Sequence, residues 1–425
     1  MMSRARRILL EGMWVMSLTI ARKCENRRRG GVIIDDTGLG LAPGHPDYGR
    51  ARVALLLVGV ATLGLMYAPQ PLLPVISEQY ALSAAHASWL MSAVTLGVAV
   101  GVLPLGAASA RGGRGRMIVA GLALATVAGL SLGVLTPWWA LVLARFIQGV
   151  GIAAVLVSAM AWVVDNVAPR AVARVGGLYI AGTTLGGMGG RILSGALTDL
   201  LGSWHMGLLC AGVLLAAVGG LAHLLLPSAA PLRPRVVPSA RVERLVASRR
   251  VMYALAFCGM AVHSGVYNAA AFRGAAAPLF MNPAMISLLF LAYGAGTLTS
   301  SLVGRVAARI PPRVIHVVAL TCSAGGLAVS LIPQLWSFVL GLVMLSAGFF
   351  AVHALANPTA ARLSAQPSAG AARYNLAYYV GASVGAVIFA MAWDSGGWGA
   401  VVVLACGFLG VAAVLAWIWA PREVG

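Results

Sequence analysis

About twelve apolar stretches, each roughly twenty residues long, follow one another from Arg52 to Pro421 with only short connectors between them. A helix needs about twenty residues to cross a hydrocarbon layer about 30 Å thick, because each residue adds about 1.5 Å. Hydrophobic residues make up 60% of the sequence and charged residues only 10%, which is too little charge to cover a water-soluble protein of this length. The sequence therefore predicts an all-α membrane protein with twelve transmembrane helices. These cover residues 53–75, 86–106, 117–136, 138–163, 173–197, 204–226, 251–274, 284–304, 314–333, 335–356, 373–393 and 398–420.

The charge is unbalanced, with 30 Lys and Arg residues against 11 Asp and Glu residues and a formal net charge of +19. If the segment before Arg52 is cytoplasmic, the inner connectors carry the arginines and the outer connectors carry neither Lys nor Arg. This bias is typical of multi-pass membrane proteins. It predicts that both termini are cytoplasmic. It also indicates that the surplus of Lys and Arg reflects orientation in a lipid bilayer and not a surface that binds nucleic acid. The arginines of the inner connectors are Arg111, Arg114, Arg116, Arg170, Arg174, those from Arg233 to Arg250, Arg305, Arg309, Arg313, Arg362 and Arg373.

A break rich in proline and arginine, residues 227–250, divides the predicted helices into two sets of six. We expect residues 52–226 and 251–425 to form two six-helix bundles, with 227–250 as a cytoplasmic linker. Because both ends of each half lie on one side of the membrane, the two bundles run parallel, as internal repeats do.

Residues 1–51 precede the first predicted helix. Their apolar run, Ile8 to Ile20, is too short to cross a membrane and lacks a convincing signal-cleavage site. The segment is interpreted either as a disordered cytoplasmic tail or as the product of a start site placed too far upstream, with Met13 or Met16 as alternative starts.

A local sequence match supports duplication of one half. Gly106 to Arg114 resembles Gly304 to Arg313, and the alanines within them lie 308 − 110 = 198 residues apart. Small residues also recur every four positions on the second, fifth, eighth and eleventh helices, where they allow close helix approach. We expect these stripes to form the seam along which the two bundles rock. They comprise Ala93, Gly97, Gly101, Gly182, Gly186, Gly190, Ser194, Gly296, Ser300, Gly304, Gly381 and Gly385.

Two motifs resemble those of the major facilitator superfamily. The loop from Gly106 to Arg116 is similar to the family's signature between helices two and three, and Arg145-Phe-Ile-Gln148-Gly149-Val-Gly151 is similar to its helix-four motif. Further stretches resemble a bacterial branch, the YnfM-like inner-membrane transport proteins. They are Tyr67-Ala-Pro-Gln70-Pro71-Leu-Leu-Pro74, Gly182-Thr-Thr-Leu-Gly-Gly-Met188-Gly-Gly-Arg191, Tyr267-Asn268 with Phe272-Arg273, and Tyr378-Tyr379-Val-Gly381 with Gly396-Gly397-Trp398.

The resemblance implies a secondary transporter of a bacterial inner membrane, which moves a small-molecule substrate between the two bundles by alternating access. Efflux by antiport is favoured over uptake, with a facilitator or an uptake permease without proton coupling as alternatives. The resemblance also implies a conformational gate in the arginine-bearing loops, although alanine stands at 110 and 308 where the family has aspartate. The gate residues are Gly106, Arg111, Gly113, Arg114, Gly304 and Arg309.

Polar side chains within the helices of the first half are candidates for a substrate pathway, because a charge inside a membrane is costly. Arg145 and Gln148 lie one turn apart on one face, from which they would meet an anionic or polyhydroxylated solute; a packing anchor is the alternative for Arg145. Arg191 lies in the outer half of helix five, where bonding to backbone carbonyls is the alternative. Gln70 lies between two prolines that interrupt helix one, and a simple proline kink is its alternative.

In the second half, Tyr267, Asn268 and Tyr378 are the pathway candidates, since aromatic and amide groups suit a semi-polar ligand. An interfacial anchor is the alternative for Tyr378. His263 and His353 are the candidates for proton coupling, because histidine titrates near neutral pH and no acidic residue falls at mid-membrane. A packed, hydrogen-bonded histidine is the alternative for both.

The sequence contains no paired intramembrane carboxylates, metal-ligand spacing, nucleophile dyad or phosphate-binding loop. We therefore predict no catalytic residue, no cofactor and no metal, and the five cysteines show no paired spacing. The outer connectors are too short to hold a ligand-binding domain. A membrane-embedded enzyme or receptor is thus disfavoured, and a monomeric transporter is expected.

Overall fold

The computed structural model describes residues 40–228 and 246–420. Predictions for the tail before residue 40 and for the centre of the linker, Glu243 included, lie outside the described residues. Within the described ranges the chain forms two sets of six long helices. They are α1 (Tyr48–Gln79), α2 (Ala84–Gly112), α3 (Arg114–Ser131), α4 (Trp138–Asn166), α5 (Pro169–Leu201), α6 (Trp204–Leu225), α7 (Val246–Ala275), α8 (Pro283–Ala307), α9 (Pro312–Val329), α10 (Leu335–Arg362), and α11 and α12, which together cover Pro367–Trp419.

Ten helical segments of the described ranges are long and apolar enough to cross a membrane. One of them, Pro367–Trp419, contains two helices, because Gly396 and Gly397 leave the helical conformation and Gly397 has a φ of 60°, which glycine adopts without steric cost. The glycine-rich α5 is not among the ten because Arg191 and its glycines lower the hydropathy, yet it packs against α1 and α6. The predicted twelve-helix, all-α fold is confirmed for the described part of the chain.

Several helices extend beyond the predicted ranges. α1 begins at Tyr48 instead of residue 53, and the described part of α7 begins at Val246 instead of residue 251. The added turns carry Arg50 and Arg249. A helix can continue through such polar residues after it leaves the apolar layer, where hydropathy no longer detects it. In the described residues the first helices of the two bundles therefore start at residues 48 and 246, ahead of the predicted 52 and 251.

The last residues of the predicted tail are packed against the first half. Leu41 is buried, and its N–H donates to the carbonyl of Asn166 at 2.8 Å. The carbonyl of Leu41 accepts from the N–H of Ala168 at 2.9 Å. Leu41 thereby bridges the short connector between α4 and α5, and the interpretation of a disordered tail does not extend to residues 40–47.

The same helix pairs pack in both halves. In the first half α1 packs along α5 and α2 along α4, and in the second half α7 packs along α11 and α8 along α10. This correspondence supports the duplication that the two loops indicate. Glycines permit the tightest of these contacts: a side chain at Gly182 or Gly186 would collide with the backbone of α1, and one at Gly381 or Gly385 with the backbone of α7.

The prediction that the glycine stripes form the seam between the bundles is therefore wrong for these four positions, since they pack within a half. Four-residue spacing identifies a close-packed face but does not identify the helix that lies against it. The halves meet instead where α2 lies against α11, α5 against α8, and the last turns of α1 against α7. Gly195 of α5 permits one of these approaches, because a Cβ there would lie 2.6 Å from the carbonyl oxygen of Pro283.

Candidate functional site

The interruption of α1 places an amide between the two halves. The α-helix ends at Tyr67, and a 3-10 turn over Gln70–Leu72 precedes a last helical segment. Gln70 is 1% exposed. Its side-chain N–H donates to Oδ1 of Asn268 on α7 at 2.7 Å, and its Oε1 accepts from Nε of Arg191 on α5 at 2.7 Å. The predicted kink is present, and it turns a polar side chain into a bridge between the halves.

Arg191 is a buried cation among aromatic rings. Its Nη1 donates to the carbonyl of Gly187 at 2.6 Å and its Nη2 to the hydroxyl of Tyr293 on α8 at 3.4 Å. The guanidinium carbon lies 4.0 Å from the ring centroid of Tyr67, 4.4 Å from that of Phe290 and 4.9 Å from that of Tyr293. Among the described residues the ion pairs are Arg50–Asp47 and Arg114–Asp165, so no carboxylate there balances the charge of Arg191.

Two polar side chains of α7 face this cluster with unused hydrogen-bonding groups. His263 is 2% exposed, and its ring is stacked on that of Phe349 at a centroid distance of 4.1 Å. Its other ring neighbours include Tyr293, at 4.9 Å. Both ring nitrogens of His263 and Nδ2 of Asn268 are buried and lack a hydrogen-bond partner among the described residues. Buried polar groups are usually paired, so these atoms mark a place where a ligand can add contacts.

The remaining predicted residues of the second half extend the same aromatic cluster. The hydroxyl of Tyr267 is 2.8 Å from Oγ of Ser346. Nδ1 of His353 is 3.0 Å from the hydroxyl of Tyr374, and its ring centroid is 5.1 Å from that of Tyr378. Tyr378 is half-buried three turns into α11 and packs on the rings of this cluster, which is not the position of an interfacial anchor.

Arg145 and Gln148 meet as their spacing predicts, but they face the protein itself. Both are fully buried, and Nη1 of Arg145 donates to Oε1 of Gln148. Nε of Arg145 donates to the carbonyl of Leu90 at 2.9 Å and Nη2 to that of Met66 at 2.6 Å. Nε2 of Gln148 donates to the carbonyl of Ala125 at 3.1 Å. In this conformation the pair connects four helices of the first half, and these donors are not presented to a solute.

Two aspartates join the halves at one end of the bundle, here called the aspartate end. Asp394, near the end of α11, accepts from the N–H groups of Ala84 at 3.0 Å and Ala85 at 2.9 Å, at the start of α2. Asp199, near the end of α5, accepts from the N–H of Ala284 at 3.0 Å, at the start of α8. Each carboxylate caps a helix N-terminus of the opposite half, where negative charge is favoured. Because α5 corresponds to α11 and α2 to α8, the two caps are equivalent by the duplication.

The predicted gate residues lie at the opposite end, here called the arginine end. Gly113 separates α2 from α3 with a φ of 94°, a conformation that favours glycine. Nε of Arg114 lies 3.1 Å from Oδ2 of Asp165, so this arginine ties the start of α3 to the end of α4 within the first half. The other gate residues range from half-buried to exposed: Gly106, Arg111, Gly304 and Arg309.

Several aromatic residues of the site were not singled out from the sequence. Four of them lie on α8 and α10 and the other two on α1 and α11, where a ring every three or four residues is also the ordinary pattern of a packed helix. The unusual signal is the run of neighbouring rings at Phe349 and Phe350 with His353 one turn later. The missed residues of the cluster are Tyr67, Phe290, Tyr293, Phe349, Phe350 and Tyr374.

The chain is similar to known membrane transporters over most of its length. The sequence model described as Major Facilitator Superfamily matches residues 55–372. The inner membrane transport protein YnfM of Escherichia coli strain K12 is 30% identical over 371 residues, which cover 84% of this chain and 87% of YnfM. The uncharacterized MFS-type transporter YybF of Bacillus subtilis strain 168 is 26% identical over 366 residues, which cover 84% of this chain and 90% of YybF.

Solved structures of low sequence identity share the fold. A bacterial homolog of the human lysosomal transporter Spinster, in its inward-facing and unoccupied conformation, matches with a TM-score of 0.68 at 15% identity, covering 88% of this chain and 97% of that one. The same homolog in its inward-facing and occupied conformation matches with a TM-score of 0.69 at 17% identity, with the same coverage.

Proposed function

Because the chain belongs to the major facilitator superfamily, we propose that it exports a small solute across a bacterial inner membrane by alternating access between its two halves. The observation that carries this proposal is the position of Gln70, which accepts from Arg191 within the first half and donates to Asn268 in the second. Polar groups between two units that move relative to each other can bind a solute. Their mutual hydrogen bonds form in one conformation and break in the other, so solute binding can be coupled to the movement.

In this proposal the arginine end faces the cytoplasm, and both termini lie there, because positive residues gather on that side of a membrane. Hydrogen bonds between the halves extend from the Asp199 and Asp394 caps to the contact of Ser92 with Ser383, whose hydroxyls are 2.8 Å apart. The conformation is therefore interpreted as closed at the aspartate end and open toward the cytoplasm. This is the state in which an exporter receives its solute.

The solute pathway comprises Gln70, Arg191, Tyr267, Asn268 and Tyr378, which lie between or beside the halves. Their mixture of a cation, amides and rings suits a semi-polar molecule. We assign the two residues of the helix-four motif a supporting role, since their polar groups already bond to the main chain of the first half.

Proton coupling is expected to be weak. Proton-coupled transport commonly uses a buried group that titrates near the working pH. The acidic residues of the described helices, Glu78, Asp165, Asp199 and Asp394, lie at or near helix ends, which leaves His263 and His353 to carry any proton. This feature also favours the second candidate function, a facilitator driven by the gradient of its own solute.

A reversible crosslink tests the alternating-access proposal. The N–H of Ala85 bonds to the carboxylate of Asp394, so the variant with Ala85→Cys and Asp394→Cys places two thiols within reach of a disulfide across the aspartate end. Oxidation should abolish the efflux of a solute panel from cells that overproduce the variant, and a reductant should restore it. Asp394→Cys alone is the control for loss of the cap itself, and Ala85→Cys alone is the control for the added thiol. Undiminished efflux from a fully crosslinked protein would rule out the mechanism.

A further inference from the structure

We propose that Arg191, Asn268 and His263 form a site for an organic monoanion with an apolar or aromatic body, and that the membrane potential drives this anion out of the cell. The inference rests on the proposed transport function and assigns its substrate class and its driving force. It does not require a proton to move with the solute.

The first argument is the unbalanced charge of Arg191. The guanidinium is 1% exposed, and no carboxylate of the described residues pairs with it. A buried cation without a counter-charge is unfavourable, and inside a membrane protein it normally has a function. Its protein partners are neutral acceptors, and the one in the second half, the hydroxyl of Tyr293, is 3.4 Å away. A carboxylate or sulfonate that replaced Tyr293 would form a shorter, charge-assisted bond.

The second argument is the unused polar atoms beside it. Nδ2 of Asn268 is a donor, and one nitrogen of a neutral imidazole is another; these atoms are buried without a partner among the described residues. Tyr293 connects the two regions, because its ring centroid lies 4.9 Å from the Arg191 guanidinium and 4.9 Å from the His263 ring. Donor groups on three side chains beside the same aromatic cluster suit an anion, whereas a cation would meet no carboxylate of the described residues there.

The third argument is the apolar wall. Tyr67 and Phe290 cover Arg191, and His263 contacts Phe349 and Phe350 at centroid distances of 4.1 and 5.7 Å. A sugar needs many hydrogen-bond partners, and the described residues provide few here. Rings around a small number of polar groups favour a ligand with one charged end and an apolar body.

The driving force follows from the charge of the ligand. A bacterial membrane is negative inside, so an anion that crosses alone is driven outward by the potential. The absence of a mid-membrane carboxylate among the described residues then has a physical reason, since an exporter of anions needs no exchanged proton.

Ligand binding gives the first test. The thermal unfolding midpoint of the purified full-length protein should rise with benzoate, hexanoate and benzenesulfonate, but not with benzamide or benzylamine. The apparent affinity for benzoate should fall at least tenfold in Arg191→Gln.

His263→Phe keeps the ring stack on Phe349, so it should fold normally and also weaken binding. Arg273→Gln is the matched control, because Arg273 bonds only to the carbonyl of Ala277 in the described structure, and it should bind benzoate normally. Equal stabilisation by benzamide, or an unchanged response in Arg191→Gln, would overturn the proposal.

Flux gives the second test. Benzenesulfonate remains ionised and cannot move as a neutral acid. In proteoliposomes with valinomycin, a tenfold potassium gradient should shift its equilibrium distribution tenfold, which corresponds to about 59 mV for one charge, and a pH gradient alone should not. A distribution that follows pH and ignores the potential would overturn the inference, as would no anion flux at all. Movement of a neutral solute without any response to anions would overturn this inference but not the proposed transport function. Undiminished efflux from the protein crosslinked between residues 85 and 394 would instead count against the transport function itself.

Discussion

Arg145 and Arg191 are both fully buried arginines of the same six-helix half, yet only Arg191 also contacts residues of the other half. Arg145 bonds to Gln148 and to main-chain carbonyls of its own half. Arg191 bonds to Gln70 and reaches Tyr293 in the other half. Burial alone therefore does not distinguish a structural arginine from one in a substrate pathway. The distinction lies in which helices surround the side chain.

Contacts within a half persist when the halves rock, whereas contacts between the halves must change. We therefore expect residues of the first kind to set the stability of the folded protein. Residues of the second kind should set the balance between conformations and the rate of transport. Four sets of variants test this division.

The largest effect on folding is expected for Arg145→Leu. Hydrogen bonds to a charged group contribute about 1.5–3 kcal/mol each, and this change removes several inside one half. The yield of monodisperse protein on size-exclusion chromatography should fall severely, whereas Arg191→Leu should retain most of its yield and lose transport. Arg145→Lys keeps the charge but loses the planar guanidinium group with its several N–H donors, so it should give an intermediate yield. Equal losses in the two leucine variants would remove the distinction between the arginines.

Gln70→Ala should affect transport more than stability. It deletes the bridge from Arg191 to Asn268, which consists of a neutral hydrogen bond worth about 0.5–1.5 kcal/mol and a bond to the Arg191 cation worth about 1.5–3 kcal/mol. Arg191 keeps its bonds to Gly187 and Tyr293, so we expect efflux to fall about tenfold with a moderate lowering of the unfolding midpoint. Gln148→Ala is the matched amide variant within one half, and it should show the opposite pattern. A stability loss in Gln70→Ala as large as that in Gln148→Ala would contradict the expectation.

Asp199→Asn and Asp394→Asn should together shift the conformational balance. Loss of a cap costs about 1 kcal/mol, so the double variant should spend more time open at the aspartate end. Maleimide labelling of a cysteine introduced at Ser287, beside Gly195 at the α5–α8 contact, should become several-fold faster. Asp47→Asn, which removes a partner of the exposed Arg50, should leave the labelling rate unchanged. Identical labelling in the double variant and the wild type would show that the caps do not hold this end.

The smallest effects are expected for the N-terminal segment. Deletion of residues 1–39 should leave transport intact. Deletion of residues 1–44 also removes Leu41, whose backbone bonds to the connector between α4 and α5. This second deletion should lower the unfolding midpoint by a few degrees without a change in efflux. Thermal unfolding followed by intrinsic fluorescence separates the two deletions, and a lower midpoint already in the shorter deletion would assign the stabilising contacts to residues before 40.

Sequence reasoning found the features that depend on local pattern. Apolar length predicts the helices, the prolines beside Gln70 predict the break in α1, and the spacing of Arg145 and Gln148 predicts that they touch. It did not find features that depend on which helices become neighbours. The glycine stripe of α5 was assigned to the wrong interface, and Tyr293 was not singled out. The partners of these residues come from distant parts of the chain, so no local period encodes them.

The two aspartate caps have a consequence for how this chain can vary. The groups that the carboxylates hold are main-chain N–H groups, which every amino acid except proline possesses. Ala84, Ala85 and Ala284 can therefore be exchanged for many residues without loss of the donor, and the chemical requirement falls almost entirely on Asp199 and Asp394. We therefore expect substitutions of Asp199 and Asp394 to be poorly tolerated. Ala85 and Ala284 should accept most residues except proline, whereas Ala84 is buried and is also limited by its packing.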